Sequence, residues 1–137
     1  MDTTLQALQE YMNSAHSVYH AVAGVVWALE ADGYVQLREQ DAWRLYPGGK
    51  YYVTRGDSAV MAFRLNTDVP EGFMMAAAHA DRPTFKWKEN GELKGTYTRL
   101  ATEKYGGMLI APWLDRPLSL AGRVQVETEN GAESRLV

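Results

Sequence analysis

The chain has 137 residues, 46% hydrophobic and 23% charged, a length and balance that support one core without disulfide or metal staples. Lys and Arg number 14 against 17 Asp and Glu, a net charge of −3, so no basic field draws the chain to nucleic acid or an anionic membrane. Cysteine is absent, which excludes a disulfide framework and thiolate metal sites, leaves His and carboxylates as metal donors, and is compatible with a reducing compartment.

The opening residues include Asp2 and Glu10 and lack the basic cluster and apolar region of a signal peptide. No stretch approaches the roughly 20 apolar residues of a membrane span, so a soluble cytoplasmic protein is expected. Leu5, Leu8 and Met12 recur at helical spacing and predict a short amphipathic helix ending near Asn13. Ser14 or Ser17 can cap a second helix with the stripe Val18, Val22, Val25, Val26 and Leu29, stopped by Gly33. Gly24 inside it should cost about 1 kcal/mol relative to Ala.

After Gly33 the period changes. Lys50 to Arg55 and Ser58 to Leu65 are rich in aromatic and β-branched residues, and Gly56-Asp57 between them predicts an antiparallel hairpin. Phe73 to Ala78 is an unbroken apolar run, which predicts a strand covered on both faces. Further strands are expected at Thr84 to Lys88, Tyr97 to Ala101, Met108 to Ala111 and Leu120 to Glu127, with turns at Asn90-Gly91 and Asn130-Gly131. The strand-like Ser134 to Val137, without a stop signal, reads as a sequence cut in mid-element. Helices and a hairpin followed by many short strands predict an α/β portion joined to a β-rich one, with a boundary between residues 84 and 96.

His79 draws attention because it follows the run expected to be most buried, where open α/β sheets place ligand sites. Asp81 is two residues on, on the same side of an extended chain, so an imidazole can bind a metal while the carboxylate takes its other N–H. A hydrogen-bonded structural histidine is the plainer reading of the same spacing. His16 and His20, four apart, could clasp a metal, but Ser17 stands where a zinc-protease helix has Glu, and helix-start histidines explain them as well. Phe85-Lys86-Trp87-Lys88 has the interleaving of a single-strand nucleic-acid platform, yet an edge strand with outward lysines accounts for it at negative net charge. Pro47-Gly48-Gly49-Lys50 lacks the rest of a phosphate loop and reads as a tight turn. Asp115 could be a ligand, a substrate-binding acid or the partner of Arg116 or Arg123, and its spacing favours the ion pair.

Together these segments resemble the aspartyl aminopeptidase family. The resemblance runs through Tyr19-His20-Ala21-Val22, Leu29 to Tyr34, Trp43 to Arg55, His79-Ala80-Asp81-Arg82-Pro83, and Tyr105-Gly106-Gly107 followed by Trp113, Asp115-Arg116 and Leu118 to Val124. Glu133 to Val137 fits as well, and the blocks stand in family order. The family usually has Thr and Ser in place of Ala80 and Arg82, and Phe and Asp in place of Leu114 and Pro117.

The resemblance implies a zinc metallo-aminopeptidase that removes amino-terminal Asp or Glu from peptides. Two zinc ions share a bridging carboxylate and a Glu is general base. It further implies a cytoplasmic homo-oligomer, with residues 1–90 the amino-terminal part of an α/β catalytic domain and residues 91–137 the start of a β-rich oligomerisation domain. His79 then matches a zinc ligand and Asp81 the catalytic-site acid that orients it. The remaining ligands and the general base have no counterpart here, so a segment inactive on its own is expected. The alternative is a non-catalytic, truncated relative acting as an oligomerising interaction module.

Overall fold

The structure, a computed structural model, describes residues 3–66 and 71–137. These fall into two compact units, residues 1–80 with 120–137, and residues 81–119.

In the first unit, α1 (Thr3–Ser14) and α2 (Val18–Ala31) lie where the apolar spacing predicts them. Ser17, not Ser14, caps α2: its hydroxyl accepts the His20 backbone N–H at 3.4 Å. At the other end Gly33 adopts φ +80°, which lets Gly33 N–H reach the Glu30 carbonyl at 3.0 Å and Tyr34 N–H reach that of Leu29 at 3.0 Å. This pairing satisfies carbonyls that the helix end would otherwise leave open. Gly24 is explained by proximity to α1, because a β carbon there would stand 3.3 Å from the Tyr11 ring.

The strands β1 (Val35–Gln36), β2 (Lys50–Arg55) and β3 (Ala59–Arg64) form a sheet in the order β1-β2-β3. The hairpin β2–β3 is antiparallel with Tyr51 opposite Phe63 and Val53 opposite Met61. Its turn has φ +58° at Gly56 and +56° at Asp57, the primed geometry that suits the twist of two strands. The parallel partner β1 was not expected from its two residues, and it makes β2 the central strand.

Tyr51, Tyr52 and Val53 are consecutive and buried, so both faces of β2 are covered. Tyr52 meets α2, where its hydroxyl donates to Glu30 Oε1 at 2.6 Å. On the opposite face Tyr51 packs against Phe63, whose ring also stacks on Trp43 with centroids 6.3 Å apart. Ala15, Ala21 and Val22 complete the buried set. Lys50 Nζ ties the end of α2 to the sheet through Asp32 Oδ2 and the Asp32 carbonyl, both at 2.8 Å.

Two further strands, β6 (Arg123–Thr128) and β7 (Gly131–Leu136), form an antiparallel hairpin closed by Thr128 opposite Gly131. Gly131 has φ +109°, so the predicted Asn130-Gly131 turn is present. Arg123 joins this hairpin to the rest of the unit: Nη1 donates to Asp57 Oδ2 at 2.9 Å and to the Gly56 carbonyl at 3.1 Å. Its guanidinium also lies 4.5 Å from the Tyr19 ring centroid.

The second unit contains β4 (Thr84–Leu93), β5 (Arg99–Tyr105) and the single turn α3 (Ala111–Leu114). Phe85 meets Trp113 edge to face with centroids 5.6 Å apart.

Several expectations are corrected. Asn90-Gly91 is not a hairpin turn but part of a bulge inside β4, where five steps from Trp87 to Glu92 are matched by two from Thr102 to Leu100 on β5. Asn90 takes φ +52° and Gly91 is buried against the Lys88 carbonyl and the Trp87 indole. The second strand of that pair begins at Arg99, not Tyr97. Met108 to Ala111 is not a strand, because Pro112 in the first turn of α3 suits a helix start and removes a ladder donor.

The largest correction is Phe73 to Ala78, which pairs with no strand among the described residues and is exposed, with Phe73 at 78%, Met74 at 104% and Met75 at 91%. An apolar run becomes a buried strand only when flanking strands take its backbone hydrogen bonds and covering layers take its side chains. The described residues thus combine helices and sheets, and few of them are fully buried.

Candidate metal centre

His79 is exposed and lies in no regular element, at the end of the first unit, and Asp81 opens the second. The premise that a buried strand delivers His79 to a sheet edge is therefore not met by this chain. The neighbourhood of Asp81 is well defined inside its own unit. Tyr105, the last residue of β5, donates its phenolic O–H to Asp81 Oδ2 at 2.6 Å. The register explains the meeting, since Thr84, three residues after Asp81, is the ladder partner of Tyr105. That hydrogen bond, and then the carboxylate charge, hold the Tyr105 phenol above its ordinary pKa of 10.0.

Sequence reasoning missed Tyr105 as the partner of Asp81, because 24 residues separate them and only the β4–β5 pairing brings them together. The one available signal was the Tyr105-Gly106-Gly107 block in the family resemblance.

His16 and His20 stand edge to face with ring centroids 5.7 Å apart, and His20 Nδ1 is 2.8 Å from the Ser17 hydroxyl. Their positions are those of residues at the start of α2, one of them paired with the cap. Asp115 Oδ1 accepts from Arg116 Nε at 2.9 Å, the ion pair that spacing favours, while Arg123 pairs with Asp57 instead. Both members of the Asp115 pair are exposed, so its contribution to stability is small. The Phe85 to Lys88 segment sits on β4, which has β5 on one side only, and Lys86 lies 4.0 Å from Glu103. The mixed charge fits an edge strand better than a nucleic-acid platform.

No group of three or more His, Asp or Glu among the described residues is placed to hold a metal ion. A zinc ion needs about four donors, so the described residues by themselves do not fit the two zinc ions that the resemblance implies. His79 is at most a single donor. No helix among the described residues is long and apolar enough to cross a membrane.

Comparison with known proteins agrees with the sequence blocks. Residues 11–137 match the family described as Aminopeptidase I zinc metalloprotease (M18). The probable M18 family aminopeptidase 2 of Pseudomonas paraeruginosa is 44% identical over 135 residues, which are 96% of this chain and 32% of that protein. The chain thus spans about a third of the length of the curated relatives it matches. Among solved structures, the cryo-EM structure of the Ape4 and Nbr1 complex aligns with a TM-score of 0.89 at 36% identity, covering 96% of this chain and 26% of that one. The S. cerevisiae mApe1 dodecamer aligns with a TM-score of 0.76 at 26% identity, covering 94% of this chain and 32% of that one. With a family match over nearly its whole length, this chain belongs to the M18 aminopeptidase I family of zinc metalloproteases.

Proposed function

We propose that this chain contributes one zinc donor, His79, and its orienting acid, Asp81, to an M18 aminopeptidase site that removes amino-terminal Asp or Glu from peptides. The remaining donors and the general base are supplied by polypeptide outside these 137 residues. In this reading the 137 residues alone do not hydrolyse peptides. The site carries two zinc ions, and the chain works in the cytoplasm as part of a homo-oligomer, residues 1–90 belonging to the catalytic domain and 91–137 to the oligomerisation domain.

The observation that carries the proposal is the family match over residues 11–137, beside described residues that bring no three metal donors together. The test is a chimaera in which this chain replaces the matched region of the Pseudomonas relative. It should cleave an aspartyl peptide in a zinc-dependent manner, and His79→Ala should reduce that cleavage by at least roughly a hundredfold. An active His79→Ala chimaera removes the ligand role, and zinc-dependent cleavage by the 137-residue chain alone removes the claim of insufficiency.

A second reading, a non-catalytic interaction module, is favoured by the apolar side chains of Phe73, Met74 and Met75 in the solvent. That this chain self-associates is supported by the dodecameric state printed for a structural relative. Light scattering of the chain showing only monomer, with no binding of an apolar dye, would count against it.

A further inference from the structure

Two elements of the first unit have the composition of fully covered structure without the cover. From Val18 to Leu29 α2 carries no Lys, Arg, Asp or Glu, and a helix apolar all round is one packed on more than one side. Only Ala21 and Val22 of it are buried, while Ala23 and Trp27, one turn apart, are exposed, Trp27 at 74%. Phe73 to Ala78 has the composition of a strand between two layers, and all six residues are exposed. Single apolar side chains in solvent are ordinary, but a helix face and a whole apolar run in one unit mark an interaction surface.

The cover has to be of two kinds. Phe73 to Ala78 needs a strand edge for its backbone N–H and C=O groups as well as side chains above and below. The α2 helix needs a second packed element across Ala23 and Trp27, where the small alanine leaves room beside the indole. A small molecule or a short peptide supplies one of these at most. A polypeptide with strands and helices of its own supplies both, and the chain spans about a third of the length of the M18 relatives it matches. At a TM-score of 0.89 to a structure of which it covers 26%, its uncovered elements belong to a fold shared with a longer chain.

We propose that the outer face of α2 around Trp27 and the run Phe73 to Ala78 are the docking surface for the rest of an M18 polypeptide, equivalent to the portion of the relatives outside the match. This rests on the reading that the remainder of the site comes from polypeptide outside these 137 residues, and on no metal ligand.

The test reads solvent contact residue by residue, in this chain alone and in the chimaera with the Pseudomonas relative. In hydroxyl-radical footprinting by mass spectrometry, Trp27, Phe73, Met74 and Met75 should oxidise several-fold more slowly in the chimaera than in the 137-residue chain. Trp27→Lys gives a second measurement: with the indole 74% exposed, it should leave the urea midpoint of the chain alone unchanged and lower that of the chimaera. A Trp27→Lys chimaera that fails to fold, while the chain alone tolerates the change, is the extreme of that expected difference. Equal oxidation rates in the two proteins, or equal midpoint shifts, overturn the inference. So does protection in the chain alone that grows with concentration to the level of the chimaera, which assigns the surface to a second copy. Neither readout depends on zinc or on cleavage. An active chimaera whose Trp27, Met74 and Met75 stay reactive therefore sinks the docking surface alone, and a protected chimaera that stays active with His79→Ala sinks the ligand role alone.

Discussion

Tyr52→Phe probes the contact that joins α2 to the central strand. The Tyr52 ring is 1% exposed and its hydroxyl donates to Glu30 Oε1 at 2.6 Å. Removing the hydroxyl loses one hydrogen bond to a charged acceptor, but Glu30 is exposed and turns to water, so no buried charge is stranded. The expected cost near neutrality is therefore about 1.5 kcal/mol, at the low end for bonds to charged groups.

A pH signature accompanies it. Burial, and then the Glu30 hydrogen bond and charge, push the Tyr52 phenol from 10.0 up to about 12. A raised value for an acid means that the folded state favours the protonated form. The associated stability is fully present below pH 10 and is lost as pH rises from 10 through about 12. Denaturant unfolding of wild type and Tyr52→Phe across the alkaline range isolates the effect, because the other titrating groups cancel in the difference. The wild type should lose its advantage over the variant as pH climbs. A difference that stays constant through pH 12 refutes the argument, as does ultraviolet titration in which all 8 tyrosines ionise together near 10.

Other substitutions test separate joints of the fold. Gly49→Ala places a β carbon onto the Tyr51 ring, whose hydroxyl accepts the Tyr46 backbone N–H at 3.0 Å, and should destabilise by about 1–3 kcal/mol in chemical denaturation. Arg123→Ala removes the bonds to Asp57 and Gly56 and the cover over Tyr19, at an expected cost of about 1–2 kcal/mol. Arg123→Lys should recover less than half of that, since an ammonium cannot serve both acceptors and stack on the ring. Arg116→Ala breaks only the exposed pair with Asp115 and should shift the unfolding midpoint by less than about 0.5 kcal/mol equivalent; a larger loss would show that the pair holds more than itself.

Local signals were read well wherever the chemistry is local. Ser17 and Gly33 bound α2 because a cap hydroxyl and a positive φ act within one turn of the chain. The Gly56-Asp57 and Asn130-Gly131 turns are legible for the same reason. Asn90-Gly91 shows the limit: the dipeptide tolerates positive φ in either setting, and pairing across to β5 makes it a bulge within a strand. Of the candidate site, residue identities were legible through the family resemblance, whereas the Tyr105 contact was not, since nothing in a spacing of 24 residues encodes it.

Periodicity, turn dipeptides and capping residues were thus enough to determine both long helices, the first hairpin and the closing hairpin, because each depends on neighbours in the chain, while the family was reached only through the resemblance of ordered sequence blocks. Tertiary structure alone decided that Tyr51, Tyr52 and Val53 form the buried centre, that Phe73 to Ala78 stays uncovered, and that Tyr105 meets Asp81. Burial and long-range pairing are properties of what surrounds a segment, and a hydrophobic run states only that it would gain by being covered, not that a cover is present.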